Sequence, residues 1–298
     1  MEGRRTLPIP SWMSFGGSWA ISPPGRARLR TQKIKKYDAY VAGCAGLDVV
    51  VCLKLVYDET QIPVEGDKLL LERAPVKLSD IDKNALEEAV RIKERAGGRV
   101  TAVTVVTGPY DEAVLNEAIA MGVDRAIVVR GLSGHNPAKT AKAVAEVLKG
   151  KEISYDLILC GEGSSDQYSC AFAPMLAEYL SIPVITFVGR LEVNGTTLRA
   201  ERLLETGYEV VEVSLPAVVS VTSEINEPRI PSVLQIMKAG KREKIVISSE
   251  ELDIAAPELI ISEVKAYVKE RMRRRIEGDI EAALNEILRV LEEKGVVP

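Results

Sequence analysis

The chain has little of what most side-chain chemistry at neutral pH relies on. It has one histidine, His135, and four cysteines, Cys44, Cys52, Cys160 and Cys170, in 298 residues. No cysteine stands in a CxxC pair, and the histidine has no nearby cysteine with which to make a zinc set. The expectation is four reduced, buried thiols. With a single imidazole, metal sites and Ser-His or Cys-His nucleophile systems lose most of their vocabulary. Any chemistry is therefore expected to belong to a bound cofactor. Apolar runs are also short, all well below the roughly 18 residues that span a bilayer, so no membrane helix is expected. Asn and Gln are scarce beside many Glu, Lys and Arg, a composition that points toward a thermophilic source.

What is present suits a soluble, cytoplasmic globular chain, with 46% hydrophobic and 28% charged residues, enough for one substantial core or two modest ones. Charge is unevenly placed. Residues 1–36 carry eight Arg or Lys against one acid, Glu2, so with a net charge of -4 overall the remaining chain carries -11. An acidic body argues against nucleic-acid binding. The basic, Pro- and Gly-containing start reads as an extension, an upstream start codon or a targeting segment, without a secretory apolar region. Residues 1–46 are expected to lie outside the core fold, poorly ordered.

From there strand and helix patterns alternate. "LDVVVCLK" is a continuous apolar run, as a strand covered on both faces would be. "DKLLLER" reads as a short extra strand. "LSDIDKNALEEAVRIKERAGG" offers Ser79 as N-cap, an apolar helical stripe, and Gly97 and Gly98 as the stop. "RVTAVTVV", "DEAVLNEAIAMG", "DRAIVVR", "NPAKTAKAVAEVLKG" with Asn136 as cap, "YDLILCG", "LAEYL" and "IPVITFVG" continue the series. This order predicts an α/β, doubly wound, mostly parallel Rossmann-type sheet over roughly 46–189. After Arg190 a two-residue period predicts a β-meander with a turn at Asn194–Gly195. "SEINEPRIPSVLQIMKAGKREK" then reads as a loop running into one short helix. Three segments result: 1–46, a 47–240 α/β domain, and a 241–298 arm whose Ile280, Ala283, Leu284, Ile287, Leu288 and Leu291 make one amphipathic stripe.

Ligands of open parallel sheets sit beyond the carboxyl ends of the strands. Three loops there are suggestive: the turn after Cys52, the helix start at Ser79, Asp80, Ile81 and Asp82, and the stretch from Gly161 to Ala173. In the last, Gly161 and Gly163 permit close backbone approach, while Ser164, Ser165 and Ser169 offer hydroxyls beside a helix N-terminus that favours anions. It is neither a Walker A loop nor GxGxxG, and the same residues suit an ordinary strand-to-helix turn. Asp82 and Asp166 read as ribose or metal ligands, or as capping groups. Around Pro228 and Pro231, Ile230, Val233, Leu234 and Ile236 stand before Lys238, Lys241, Arg242 and Lys244. That pattern fits either a loop folded on the core or an apolar anchor with a basic rim.

From about Asp48 onward the chain resembles the beta subunit of electron transfer flavoprotein. The resemblance is carried by "VVVCLKLVYDET", "DKNALEEAVRIKE", "NEAIAMGVDRAI", "YDLILCG", "LPAVVSVTSEINEPRIPSVLQIMKA" and "IEGDIEAALNEIL". It implies a fold like that of the adenine nucleotide alpha hydrolases. It also implies a heterodimer with an alpha subunit that holds the electron-carrying FAD, and AMP or, in electron-bifurcating members, a second FAD in the beta subunit. By position the nucleotide contacts would be Cys52, Ser79 to Asp82, Thr107, and Gly161, Glu162, Gly163, Ser164, Ser165, Asp166, Gln167, Tyr168, Ser169, Cys170, Ala171 and Phe172. The loop bearing Ile230, Val233, Leu234 and Lys238 would recognise dehydrogenase or quinone-oxidoreductase partners, and the terminal arm would wrap the alpha subunit.

The turn departs from the family pattern "QAIDGDTxQVGP": this chain reads "GSSDQYSCAFAP", keeping Asp166 and Pro174 but losing the second acid, the Thr and the Gln. Ser169 would replace the Thr hydroxyl, Phe172 replaces Val, and Ala171 has nothing to donate. Ser79 stands where the family has Asn. These departures fit a divergent, quinone-linked bifurcating branch, with a second FAD and NADH as donor, better than a housekeeping acceptor of acyl-CoA dehydrogenase electrons. Two readings compete: a stand-alone adenine-nucleotide-binding regulator of the stress-protein type, and a structural subunit with an empty nucleotide site.

Overall fold

The structure, a computed structural model, describes residues 40–42, 46–132, 134, 136–151, 153–242, 244–257, 259–266, 275 and 279–296. Cys44, His135 and the whole basic segment 1–36 lie outside the described residues. The first long apolar run forms β2 (Val49–Cys52), and a short strand β1 (Tyr40–Ala42) precedes it. All of β2 is buried, because alternate residues enter different cores: Val49 and Val51 on one side, Val50 and Cys52 on the other. The same division holds for β7 (Val100–Val105), β8 (Arg125–Arg130) and β9 (Leu157–Gly161). Burial on both faces is why these strands read as continuous rather than alternating apolar runs.

Helices α1 (Asp80–Ala96) and α2 (Glu112–Met121) cover the first face, and α3 (Pro137–Gly150) and α4 (Phe172–Leu180) cover the second. Each helix has a legible boundary. Asn136 accepts N–H bonds from Ala138 at 3.0 Å and Lys139 at 3.2 Å, and Pro137 occupies the first turn of α3. Gly97 and Gly98 end α1 with φ of 75° and 94°, and a β-carbon on Gly98 would lie 2.1 Å from the Leu47 carbonyl oxygen. Only glycine fits that crossing.

The remaining strands are β10 (Val184–Asn194), β11 (Thr197–Leu204), β12 (Gly207–Ser214), β13 (Ala217–Val221) and β14 (Lys244–Ser248). They complete a ten-stranded sheet in the order β12-β11-β10-β13-β9-β2-β7-β8-β14, with β1 parallel to β10. The expected α/β class holds, as does the hairpin at Asn194–Gly195, where Gly195 has φ 58°. Four local expectations are corrected. Strand β13 is not part of the meander; it is fully buried between β10 and β9, because "AVVSV" is a continuous run. Strand β14, placed in the arm, pairs in parallel with β8, and residues 40–42, placed in the extension, pair with β10. "DKLLLER" is a two-residue strand β5 (Lys68–Leu69), paired with β4 (Val64–Glu65), followed by a 3-10 turn over Leu71–Arg73. Strands β3 (Leu55–Tyr57) and β6 (Val76–Leu78) close that excursion as an antiparallel pair.

Candidate functional site: a cleft at the switch point of the sheet

The chain runs outward from β2 through α1 to β7 and β8, then returns through α3 to β9 on the other side of β2. The switch point therefore lies between β2 and β9, where a crevice opens at the carboxyl ends of the strands. Cys52, Lys54, Asp82, Thr107, Asn136 and Gly161 stand around it, and its empty space is about 730 Å³ with the open mouth included. Val103, Val105, Val144 and Phe172 supply apolar wall.

Asp82 organises the floor. Its carboxylate accepts the Lys54 N–H at 2.8 Å and the Gly161 N–H at 3.0 Å, tying the ends of β2 and β9 together. Burial pushes its pKa up to about 7, against the opposing pull of those two N–H groups. A β-carbon on Gly161 would lie 2.7 Å from Asp82 Oδ1, and one on Gly163 would lie 2.9 Å from the Tyr168 ring. The close approaches that these glycines permit are thus to the protein's own side chains.

Lys54 fastens the turn over the cleft. Its Nζ donates to both Asp166 carboxylate oxygens at 2.8 Å and to Ser164 Oγ and Gln167 Oε1 at 3.3 Å. Ser79 is the first residue before α1, as expected, but its hydroxyl does not cap the helix. It accepts from the Ser165 N–H at 3.2 Å, while Ser165 Oγ accepts the Asp80 N–H at 3.0 Å. The start of α1 is therefore closed by a residue 85 positions away. Tyr168 and Cys170 carry φ of 46° and 53°, an unusual conformation for side chains with a β-carbon. The Tyr168 hydroxyl donates to Glu162; this bond is the main reason its own pKa rises, to about 12. Burial pushes the Glu162 carboxyl up.

Burial also pushes the Cys52 and Cys160 thiols well up, so both line the cleft as protonated, unreactive groups. At the cleft, α3 is capped by Asn136 and α1 by Ser165, whereas among the described residues no side chain caps α4 at Ala171.

The expected residues thus separate into two sets. Cys52, Asp82, Thr107, Gly161, Glu162, Gly163, Ser164, Gln167, Ser169, Cys170 and Phe172 line the cleft. Ser79, Asp80, Ser165 and Asp166 hold the turn in place from behind or beside it, and Tyr168 folds over Gly163. Ile81 lies against Gly161. Lys54, Asn136, Thr140 and the wall valines also line the cleft and were not among the expected contacts. Lys54 had a usable signal, as the cation ending an apolar strand.

The proposed partner loop lies elsewhere. It leads into α5 (Val233–Ala239), which Ser232 and Gln235 cap reciprocally. Ile230, Val233, Leu234 and Met237 are exposed, whereas Ile236 is half-buried. Lys238 is exposed, but the basic rim is smaller than expected: Arg242 donates to the Val123 carbonyl at 2.9 Å and Lys244 pairs with Glu112 at 2.8 Å.

The Electron transfer flavoprotein domain family matches residues 68–252. An electron transfer flavoprotein subunit beta from Thermoanaerobacterium thermosaccharolyticum is 33% identical over 264 residues, 84% of this chain and 100% of that protein. The chain belongs to the electron transfer flavoprotein beta-subunit family. The Bacillus subtilis subunit beta is likewise 33% identical, over 259 residues, 84% of this chain and 100% of its own length. The Clostridium acetobutylicum subunit beta is 33% identical over 237 residues, 78% and 90% of the two chains. In this beta-subunit family member the matched region includes the meander, the exposed loop and the cleft residues from Asp82 onward, while Cys52 and Lys54 stand before it. Among the described residues no helix is long and apolar enough to cross a membrane, and no cluster of His, Cys, Asp and Glu suits a metal ion.

Proposed function

We propose that this chain holds an adenine nucleotide in the switch-point cleft, either AMP or the adenylate part of a second FAD. Paired with an alpha subunit that carries the electron-transferring FAD, it serves in passing electrons between dehydrogenases or NADH and a quinone or ferredoxin acceptor. The observation that carries the reading is the open start of α4. Among the described residues no side chain caps it at Ala171, and it stands beside an apolar wall. A helix start with free N–H groups favours a phosphate, and an apolar wall favours a purine ring.

The residues present fit such a group. Ser164 and Ser169 offer hydroxyls and Gln167 an amide near that helix start, while Val103, Val105 and Val144 would flank the ring and Thr107 or Asn136 would meet its polar edge. Lys54 would hold the turn closed over the phosphate, and Asp82 would keep the two strand ends at fixed separation. A bound flavin supplies the redox chemistry; the protein supplies position and surroundings, and no side chain acts as nucleophile. The exposed loop from Ile230 to Met237 and the stripe of α6 (Ile280–Glu293), with Ile280, Leu284, Ile287 and Leu288 exposed, would meet protein partners, the second being the alpha subunit.

Co-expression with the alpha subunit, acid extraction and quantitation of flavin and AMP test the reading. Two FAD per heterodimer support a second flavin and electron bifurcation; one FAD with one AMP makes the nucleotide structural. Absence of any nucleotide beyond the alpha-subunit FAD would leave a structural subunit. A purified chain that forms a homodimer, binds ATP and ignores the alpha subunit would overturn the assignment in favour of a stand-alone regulator.

A further inference from the structure

Helix α1 touches both the cleft and the base of the exposed loop, through polar groups that are costly to bury. At its first turn, the Asp80 N–H meets Ser165, and the Asp82 carboxylate joins β2 to β9. Further along, Asn84, Glu87, Glu88, Arg91 and Glu94 recur at intervals of three and four, which places them on one side of the helix. That side holds residues 226–229. Glu87 and Glu88, adjacent in sequence, are each only 2% exposed. Arg229 donates to Glu87 through its N–H at 3.1 Å and Nε at 2.8 Å, and to Glu94 through its two terminal nitrogens at 2.6 and 3.0 Å. Asn226 and Asn84 exchange amide-to-carbonyl bonds at 2.9 and 3.1 Å, and Asn226 donates to Glu88 at 2.9 Å.

Apolar contact would hold a loop against a helix at a lower desolvation cost. Directional, charge-assisted bonds fix its orientation as well. The residue that follows Arg229 is Ile230, 94% exposed and the start of the apolar tip.

We propose that α1 links the nucleotide cleft to the loop 230–238, so that an occupied cleft sets the pose of the loop, with Glu87 as the positioning residue. The inference rests on the nucleotide reading above. With 17 residues the helix is about 25 Å long, one unbroken rod between the two segments. A nucleotide that draws the 161–172 turn against the start of α1 constrains the rod, and Glu87 and Asn84 pass that constraint to Arg229 and Asn226. Linkage makes the effect reciprocal: an occupant on the loop tightens the nucleotide by the same factor.

Hydrogen exchange read by mass spectrometry tests this on the alpha–beta heterodimer, stripped of nucleotide and reloaded with AMP or, in parallel, with FAD. Reloading is expected to slow exchange several-fold both in 161–172 and in 226–238. Glu87→Gln should keep the first response and lose most of the second, and Arg229→Lys should give an intermediate loss. A loop that does not respond to nucleotide in the parent, or that responds equally in Glu87→Gln, would overturn the link. If neither nucleotide slows exchange in 161–172, the nucleotide reading falls and takes the link with it. Should Glu87→Gln fail to fold, Arg229→Lys carries the same comparison.

Discussion

Two irregular segments follow neighbouring strands of the sheet and lean on the same helix, yet they are built in opposite senses. The turn after β9 uses its polar atoms on itself and on its surroundings: Lys54 to Asp166, Ser79 to Ser165, Tyr168 to Glu162. What it leaves toward the cleft is a concave surface with an uncapped helix start. The loop after β13 places its polar atoms underneath, on α1, and turns Ile230, Val233, Leu234 and Met237 outward. Position at the end of a parallel strand therefore does not decide what a loop does. The direction of its hydrogen bonds does: inward-facing bonds beneath an apolar tip leave a surface suited to a partner, and bonds across a turn leave a cavity suited to a small molecule.

The largest expected effect that sharpens this contrast is Asp82→Ala. It removes the acceptor of two strand-end N–H groups, each left unsatisfied at a cost of about 1–3 kcal/mol, so urea unfolding should lose roughly 3 kcal/mol. A loss below about 1 kcal/mol would mean that water replaces the carboxylate and that the cleft floor is not tied through it. Next, Lys54→Met should weaken nucleotide binding about tenfold in a titration with AMP, because the turn loses the Lys54 ammonium that fastens it to the end of β2. Unchanged affinity would make the turn a fixed part of the core rather than an adjustable cradle.

A subtler effect is on pH dependence. Burial raises the Asp82 pKa to about 7, so the folded chain holds this proton more tightly than the unfolded chain. Its contribution is full below the ordinary aspartate value of about 3.9 and is lost as pH rises through about 7. Stability measured against pH should be steeper downward across that window in the parent than in Asp82→Asn. The loop base has the opposite sign. Burial pushes the Glu87 carboxyl up, but bonds from Arg229 and Arg91 more than offset this and hold it below its ordinary value. That stability is present above the ordinary glutamate value of about 4.3 and is lost as pH falls through the lowered value, so acid should loosen the loop first. Proteolysis of the loop as pH is lowered would read it.

The smallest effect on stability is expected from Val233→Ala with Leu234→Ala. Both side chains are mostly exposed, so unfolding should shift by no more than about 0.5 kcal/mol and bound nucleotide should stay constant, while electron transfer with a partner protein slows. Loss of nucleotide instead would place this loop in the core and end the contrast.

How much of this was legible in the sequence differs between the two segments. The strands were readable because burial on both faces demands continuous apolar runs, and the caps at Asn136 and Gly97 because their chemistry is local. The central place of strand β13 is not legible because the surrounding meander has a period of two, and nothing local says that a chain leaving an edge returns to the middle of a sheet. Exposed apolar residues in the loop could be suspected from Ile230, Val233 and Leu234. The polar stripe beneath them was written in plain view at Asn84, Glu87 and Glu88, but on a helix such spacing also describes a solvated face.

Taken alone, the sequence determined the α/β class, the alternation of strands and helices, the scarcity of histidine, and the family to which the chain belongs. Tertiary structure decided the partners of the polar groups. Ser79 and Ser165 meet across 86 positions, Asn84 and Asn226 across 142, and Lys54 and Asp166 across 112. Secondary-structure periods act over a few residues, whereas a hydrogen bond is set by distance in space. Which serine closes a helix, which glutamate anchors a loop and which helix start is left open are therefore fixed only once the sheet has brought its strand ends together.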